Sequence, residues 1–93
     1  MTLSIARALV VDDERSSRLN IKDLLTMEHF KVEEAEDGAS ALELIKDVPF
    51  DIVLLDIRMP KMNGLEALKQ IKKTHPNLPV IMFTAEGTSE RAI

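Results

Sequence analysis

The sequence contains no cysteine, no tryptophan and no tyrosine, and it has only three phenylalanines. The absence of cysteine excludes both a disulfide framework and a thiolate metal site, and it fits a cytoplasmic protein. No apolar run approaches the roughly 20 residues of a membrane-spanning helix. The N-terminal MTLSIAR lacks the layout of a signal peptide. With so few aromatic residues, the core has to be built from aliphatic side chains.

The composition is that of one small globular domain. Apolar residues make up 45% of the 93 residues and charged residues 30%. The net charge of -4 argues against direct contact with nucleic acid. We therefore expect a single domain over residues 1–93.

Short apolar runs alternate with helical patterns along the chain. The pattern predicts strands over residues 8–11, 31–35, 52–55 and 79–83. It predicts helices over residues 14–28, 39–47 and 64–74, and a further helix that begins at Thr88. Alternating units of this length predict a parallel sheet with right-handed crossovers, which is an α/β fold.

The spacing of apolar residues also predicts which helix faces point inward. The predicted inward side chains of the first and third helices are Ile21, Leu24, Leu25, Leu65, Leu68 and Ile71. Three basic side chains of the first helix are expected to face water: Arg15, Arg18 and Lys22.

Polar side chains follow three of the predicted strands. Asp12 and Asp13 end the first strand, Asp56 ends the third, and Thr84 ends the fourth. If the first and third strands are neighbours, three carboxylates lie close together and repel one another. Mg²⁺ would relieve that repulsion, because it takes oxygen ligands and needs only one or two carboxylates. The sequence therefore predicts a magnesium site at this edge of the sheet.

A carboxylate can also attack phosphorus and form an aspartyl phosphate. Asp56 is the better candidate for the nucleophile, because Asp12 and Asp13 form an adjacent pair that can serve as metal ligands. Thr84 could donate its hydroxyl to a phosphoryl oxygen.

Four motifs occur in a fixed order along the chain: VDDE at 11–14, EDGxxAL at 36–42, DIVLLDIRMPKMNG at 51–64 and PVIMFTA at 79–85. Together they resemble the receiver domain of bacterial two-component response regulators. The resemblance implies a flavodoxin-like (CheY-like) doubly wound sheet. It also implies a phosphorylation-controlled switch for output, such as transcriptional control in a longer protein.

The resemblance implies roles for individual residues. Asp56 would accept a phosphoryl group from a histidine kinase or a phosphotransfer protein. Asp13, Asp56 and the main-chain carbonyl of Arg58 would bind Mg²⁺, and Asp12 would act through water. Thr84 would be the switch hydroxyl. Such a domain is not an enzyme in the usual sense, because it catalyses only its own phosphorylation and dephosphorylation.

The chain departs from the family pattern at its C-terminus. Family members continue with a fifth strand, which carries a Lys-Pro pair, and with a fifth helix, whereas no lysine follows Lys73 here. We therefore expect an incomplete receiver domain with strand order 2-1-3-4. The edge at residues 80–83 would be apolar and exposed, and it would favour self-association.

Two other functions remain open from the residues alone. One is a Mg²⁺-dependent phosphatase with an aspartyl nucleophile, although such enzymes place a second aspartate two residues later, where Asp12 is followed by Glu14. The other is a fragment that binds metal and does not switch.

Overall fold

A computed structural model describes residues 5–59 and 63–83. Its strands and helices alternate as β1 (Arg7–Val11), α1 (Arg15–Met27), β2 (Lys31–Ala35), α2 (Gly38–Asp47), β3 (Ile52–Asp56), α3 (Gly64–Thr74) and β4 (Val80–Phe83). Each bound lies within about one residue of the sequence prediction. The predicted helix at Thr88 lies outside the described residues.

The four strands form one parallel sheet in the order β2-β1-β3-β4. This confirms the predicted order of the doubly wound sheet. Because β1 and β3 are direct neighbours, the chain segments that leave their carboxyl ends lie side by side.

The main core lies between the sheet and helices α2 and α3. It is largely aliphatic, as the lack of aromatic residues predicts, and among its members in the described part of the chain the only aromatic residue is Phe50. The cluster consists of Leu9, Val11, Ala35, Ala41, Ile45, Phe50, Val53, Leu55, Met59, Ala67 and Ile71. Each fully buried leucine, isoleucine or valine stabilises the fold by about 1.5–3 kcal/mol.

Helix α1 packs differently, against β1 and β2, and none of its residues is fully buried. The prediction that Leu24 faces inward is wrong, because 63% of this residue is exposed. Arg18 was expected to face water, yet its side chain is only 13% exposed and pairs with Glu34 of β2. The periodicity argument failed here because the strand beneath α1 presents a carboxylate, so the contact face of the helix is partly polar.

Helix α3 approaches the sheet closely at its first turn. The prediction that Leu65 faces inward is wrong, because it is 59% exposed, whereas Ala67 and Ile71 are fully buried. A Cβ added to Gly64 would lie 2.3 Å from the carbonyl oxygen of Asp56. Because the first turn of α3 lies directly against the backbone of Asp56, there is room for a small residue such as Ala67 on the side that faces the sheet.

Side-chain and backbone caps define the helix ends. Asp37 accepts a hydrogen bond from the backbone N–H of Ser40 at 2.7 Å, and Asn63 accepts one from Glu66 at 2.9 Å. At the end of α1, His29 has a φ of 71°. The backbone N–H groups of His29 and Phe30 donate to the carbonyls of Thr26 and Leu25, which is a Schellman motif.

Within residues 5–59 and 63–83, no helix has the length and apolar character that crossing a bilayer requires.

Candidate metal centre at the rim of the sheet

Three carboxylates meet where β1 and β3 end. Val11 of β1 pairs with Leu55 of β3, so the next residues of the two strands leave the sheet at the same rim. One carboxylate oxygen from each of Asp12, Asp13 and Asp56 lies within 4.8 Å of the other two. We call these three residues the rim cluster. Its geometry is the one that the strand ends predict.

Asp12 is the most enclosed member of the rim cluster, with 1% of its surface exposed. Its backbone N–H donates to the carbonyl of Ala35 at 3.1 Å, and its Oδ1 accepts from the N–H of Glu14 at 3.0 Å. Its Oδ2 is buried and has no hydrogen-bond partner among the described residues. A buried carboxylate oxygen without a partner is costly unless a cation or a proton satisfies it.

Burial raises the pKa of Asp12 from 3.8 to about 6. The hydrogen bond from the Glu14 N–H works in the opposite direction, and the nearby Asp56 and Asp13 carboxyls add to the increase. Ionising Asp12 therefore costs more in the metal-free protein than it does in water, and a bound cation would offset that cost.

Asp56 is 6% exposed, and its Oδ1 accepts a hydrogen bond from the backbone N–H of Arg58 at 3.1 Å. The segment after Asp56 is tied to α3, because the N–H of Gly64 donates to the carbonyl of Ile57 at 2.8 Å. Only a glycine allows this approach, since any Cβ at residue 64 would collide with the backbone of Asp56 and Ile57.

The donor set suits a hard cation. All three converging groups are carboxylates, the exposed Asp13 leaves a path to solvent, and the Oδ2 of Asp12 lacks a partner among the described residues. These are the oxygen ligands that Mg²⁺ prefers. Arg58 lies beside Asp56, and the role of its carbonyl oxygen stays a prediction. Thr84 lies outside the described residues, so its role stays a prediction as well.

A second group of charged side chains lies next to the rim, and the sequence argument missed it. Glu34 accepts from the Nε of Arg18 and from the Nζ of Lys22, each at 2.9 Å. Lys22 and then Arg18 lower the pKa of Glu34. We call Arg18, Lys22 and Glu34 the ion-pair cluster. An available signal was the i, i+4 spacing of two basic residues on α1 near a strand that carries an isolated acid on the α1 side.

A cavity of about 680 Å³ lies elsewhere, between the α2–β3 and α3–β4 connections. It is lined in part by Phe50, His75 and Pro79, which lie at the amino ends of β3 and β4. It therefore lies at the opposite end of the sheet from the rim cluster.

Comparison with known proteins places the chain in a family. A family model described as the response regulator receiver domain matches residues 8–93. The chain belongs to this family, so it is a receiver domain of a two-component response regulator.

The curated relatives are longer proteins. The chain is 48% identical over 82 residues to the transcriptional regulatory protein CpxR of Escherichia coli K12, covering 88% of this chain and 34% of CpxR. It is 42% identical over 86 residues to the response regulator MprA of Mycobacterium sp. strain KMS, covering 91% of this chain and 37% of MprA. The chain thus spans about a third of the length of these relatives.

Solved structures show the same fold. The chemotaxis protein CheY4 of Vibrio cholerae matches with a TM-score of 0.85 at 32% identity, covering 96% of this chain and 76% of CheY4. The crystal structure of the histidine kinase ThkA in complex with the response regulator protein TrrA matches with a TM-score of 0.82 at 38% identity, covering 87% of this chain and 70% of the matched chain. The CheY-like fold predicted from the sequence is confirmed.

Proposed function

We propose that this chain is a phosphoacceptor domain in which Asp56 takes a phosphoryl group from the phosphohistidine of a histidine kinase or phosphotransfer protein. The observation that carries the proposal is the rim cluster, where three carboxylates converge and one buried oxygen of Asp12 has no partner among the described residues. Family membership and the similarity to TrrA, which was crystallised with a histidine kinase, support the choice of donor.

The proposed chemistry makes Asp56 both the nucleophile and a metal ligand, and it leaves the other two carboxylates to the metal. An oxygen of Asp56 attacks phosphorus, the P–N bond of the phosphohistidine breaks, and the histidine nitrogen retains the bonding pair. Asp13, Asp56 and the carbonyl of Arg58 would hold Mg²⁺, with Asp12 acting through water. When bound, Mg²⁺ neutralises the charge that develops on the phosphoryl oxygens. Thr84 would donate its hydroxyl to the transferred group.

Two contacts of Asp56 support its choice as the acceptor. The backbone N–H of Arg58 donates to one oxygen of the Asp56 carboxylate, which fixes the orientation of that group. The close approach of Gly64 holds the backbone of Asp56 in place. The added phosphoryl carries a charge of about -1.5 to -2, which shifts an existing equilibrium between two conformations. By analogy with CpxR, a transcriptional regulatory protein, the output would be transcriptional control in the cytoplasm.

Phosphorylation can be tested by treating the protein with a small phosphodonor and Mg²⁺. Intact-mass analysis should show one phosphoryl adduct in the unmodified protein and none in Asp56→Asn. The matched control is Asp47→Asn, which alters an exposed aspartate at the end of α2 and should leave the adduct in place. Loss of the adduct in both variants, or in neither, would contradict the assignment of Asp56. Steady release of phosphate from monoesters would favour a phosphatase instead.

Metal binding can be tested separately by calorimetry. Asp13→Ala should abolish Mg²⁺ binding, because the substitution removes one of the three groups proposed to bind the ion directly. An unchanged Mg²⁺ affinity in Asp13→Ala would remove Asp13 from the ligand set.

We also propose that the chain self-associates through β4. Among the described strands β4 pairs only with β3, and Ile81 is 51% exposed on the face of the sheet opposite α2 and α3. An apolar edge of this kind offers backbone groups for pairing with a second copy. Light scattering across a dilution series should show dimers at high concentration, and a strict monomer throughout would contradict this.

A further inference from the structure

We propose that Arg18 is a positioning residue for the metal centre, because it holds the peptide unit that joins Asp12 to Asp13. The inference rests on the proposed function of the rim cluster. It assigns to Arg18 a task beyond stabilising α1, namely to keep the carboxylates of Asp12 and Asp13 converged on Asp56.

The contacts of Arg18 connect three elements. From α1, its Nη1 donates to the carbonyl oxygen of Asp12 at 2.9 Å, and its Nε donates to Oε1 of Glu34 on β2 at 2.9 Å. The side chain is 13% exposed, so these bonds are largely shielded from competing water. The planar guanidinium presents its N–H groups in a rigid fork, so the bond to Glu34 fixes the direction of the bond to Asp12.

The carbonyl of Asp12 controls more than one residue. It belongs to the same planar peptide unit as the N–H of Asp13, so holding this oxygen sets the orientation from which the Asp13 side chain departs. The N–H of Asp12 is already bonded to Ala35 of β2. Asp12 is thus held at both of its peptide groups. Asp13 is exposed, so packing does little to orient it.

Glu34 completes the arrangement. Its Oε1 accepts from Arg18 at 2.9 Å, and its Oε2 accepts separately from Lys22 at 2.9 Å. The carboxylate also offsets the positive charge of the guanidinium, which lowers the repulsion between Arg18 and a cation bound nearby. Groups that orient metal ligands through hydrogen bonds typically change metal affinity by about 10–100-fold when they are removed.

The test compares Arg18→Lys and Arg18→Ala with Lys22→Ala. Lys22→Ala removes the other ion pair of Glu34, including one positive charge, without touching Asp12. Mg²⁺ affinity is measured by calorimetry, and the amide chemical shift of Asp13 is measured by NMR in the metal-free protein. We expect the Arg18 variants to bind Mg²⁺ roughly tenfold more weakly and to shift the Asp13 amide. Lysine cannot reproduce the fork, so Arg18→Lys should behave like Arg18→Ala.

The possible outcomes separate the proposed function of the rim cluster from the positioning role of Arg18. Failure of the unmodified protein to bind Mg²⁺ would overturn the proposed function itself. Binding by the unmodified protein with equal affinity in Arg18→Lys would overturn only the positioning role. An equal loss in Lys22→Ala would overturn it too, because the effect would then follow charge or stability. If Arg18→Ala does not fold, Arg18→Lys and its Asp13 amide shift give the decision.

Discussion

The rim cluster and the ion-pair cluster lie next to each other and treat charge in opposite ways. The ion-pair cluster combines one acid with two bases, and its cations lower the pKa of Glu34. The rim cluster gathers three acids, and burial raises the pKa of Asp12 to about 6. In the ion-pair cluster, the negative charge of Glu34 is compensated by basic residues of the chain itself. The rim cluster is arranged at the expense of stability, which is common where a site serves function.

The comparison also separates two ways of holding a carboxylate in place. Glu34 is held by two basic side chains, whereas Asp56 is held by a backbone N–H and by the close approach of α3. Substitutions in the two clusters should therefore change the free energy of unfolding by different amounts, and one of them should increase it.

The largest expected effect is that of Gly64→Ala. Its Cβ would lie 2.3 Å from the carbonyl oxygen of Asp56 and 2.6 Å from the Cα of Ile57, so backbone has to move. We expect a loss of about 3 kcal/mol in the free energy of unfolding, the upper end for overpacking, together with weaker Mg²⁺ binding. Chemical denaturation measures the first, and Asn63→Ala, which removes only the cap, should cost about 1 kcal/mol. Equal losses would contradict the close-approach argument.

A change of opposite sign is expected for Asp12→Asn in the absence of metal. The folded pKa of Asp12 is about 6, above its unfolded value of 3.8. The unfolded state therefore releases the proton first, and this group makes stability fall as pH rises from about 4 to 6. Asparagine removes that cost, so the variant should be more stable near pH 7 by about 2–3 kcal/mol.

The Asp12→Asn gain should disappear near pH 4, where Asp12 is protonated in the folded state. Denaturation at the two pH values measures the difference, and Asp13→Asn serves as the exposed control. A variant that is less stable than the parent at pH 7 would show that Asp12 is already satisfied in the metal-free protein.

A smaller loss is expected for Glu34→Gln. It removes the charge that Lys22 and Arg18 share, at a partly buried position, and should cost about 1 kcal/mol near neutral pH. Because the folded pKa of Glu34 is lowered, this contribution is present above its unfolded pKa of 4.5 and is lost as pH falls through the folded value. The free energy of unfolding of the parent, relative to Glu34→Gln, should rise with pH in this range. That would confirm that Glu34 and Asp12 change stability with pH in opposite directions.

The smallest effect lies outside both clusters and provides a baseline. His29 adopts a φ of 71° after α1, a conformation that favours glycine. His29→Gly should raise the free energy of unfolding by about 0.5 kcal/mol without changing Mg²⁺ affinity. His29→Ala should give no gain, and an equal gain in that variant would point to the loss of the imidazole instead of the backbone.

Much of the fold follows from local pattern. Apolar runs that end in acids, separated by helical periods, predict a parallel sheet, and the carboxyl ends of parallel strands meet at one edge. That reasoning puts Asp12, Asp13 and Asp56 at one edge of the sheet, and it brings them together if β1 and β3 are neighbours, an order that the family resemblance implied. Their roles as ligands and acceptor, like that of Thr84, stay predictions.

Other features depended on which surfaces meet. Leu24 and Leu65 fit an apolar stripe in sequence, yet they lie exposed, because α1 rests partly on Glu34 and α3 begins against the backbone of Asp56. The pairing of Arg18 with Glu34 spans 16 residues and two elements. A helical or strand period contains no information about a partner on another element.

By itself, then, the sequence determined the order of elements, the aliphatic core and the edge at which acidic groups collect, because these depend on the spacing of neighbours along the chain. Only the tertiary structure decided that Asp12 is buried with an oxygen that lacks a partner among the described residues, and that Arg18 holds its carbonyl. Both facts depend on how closely separate elements pack, and desolvation and hydrogen-bond direction exist only once they have packed.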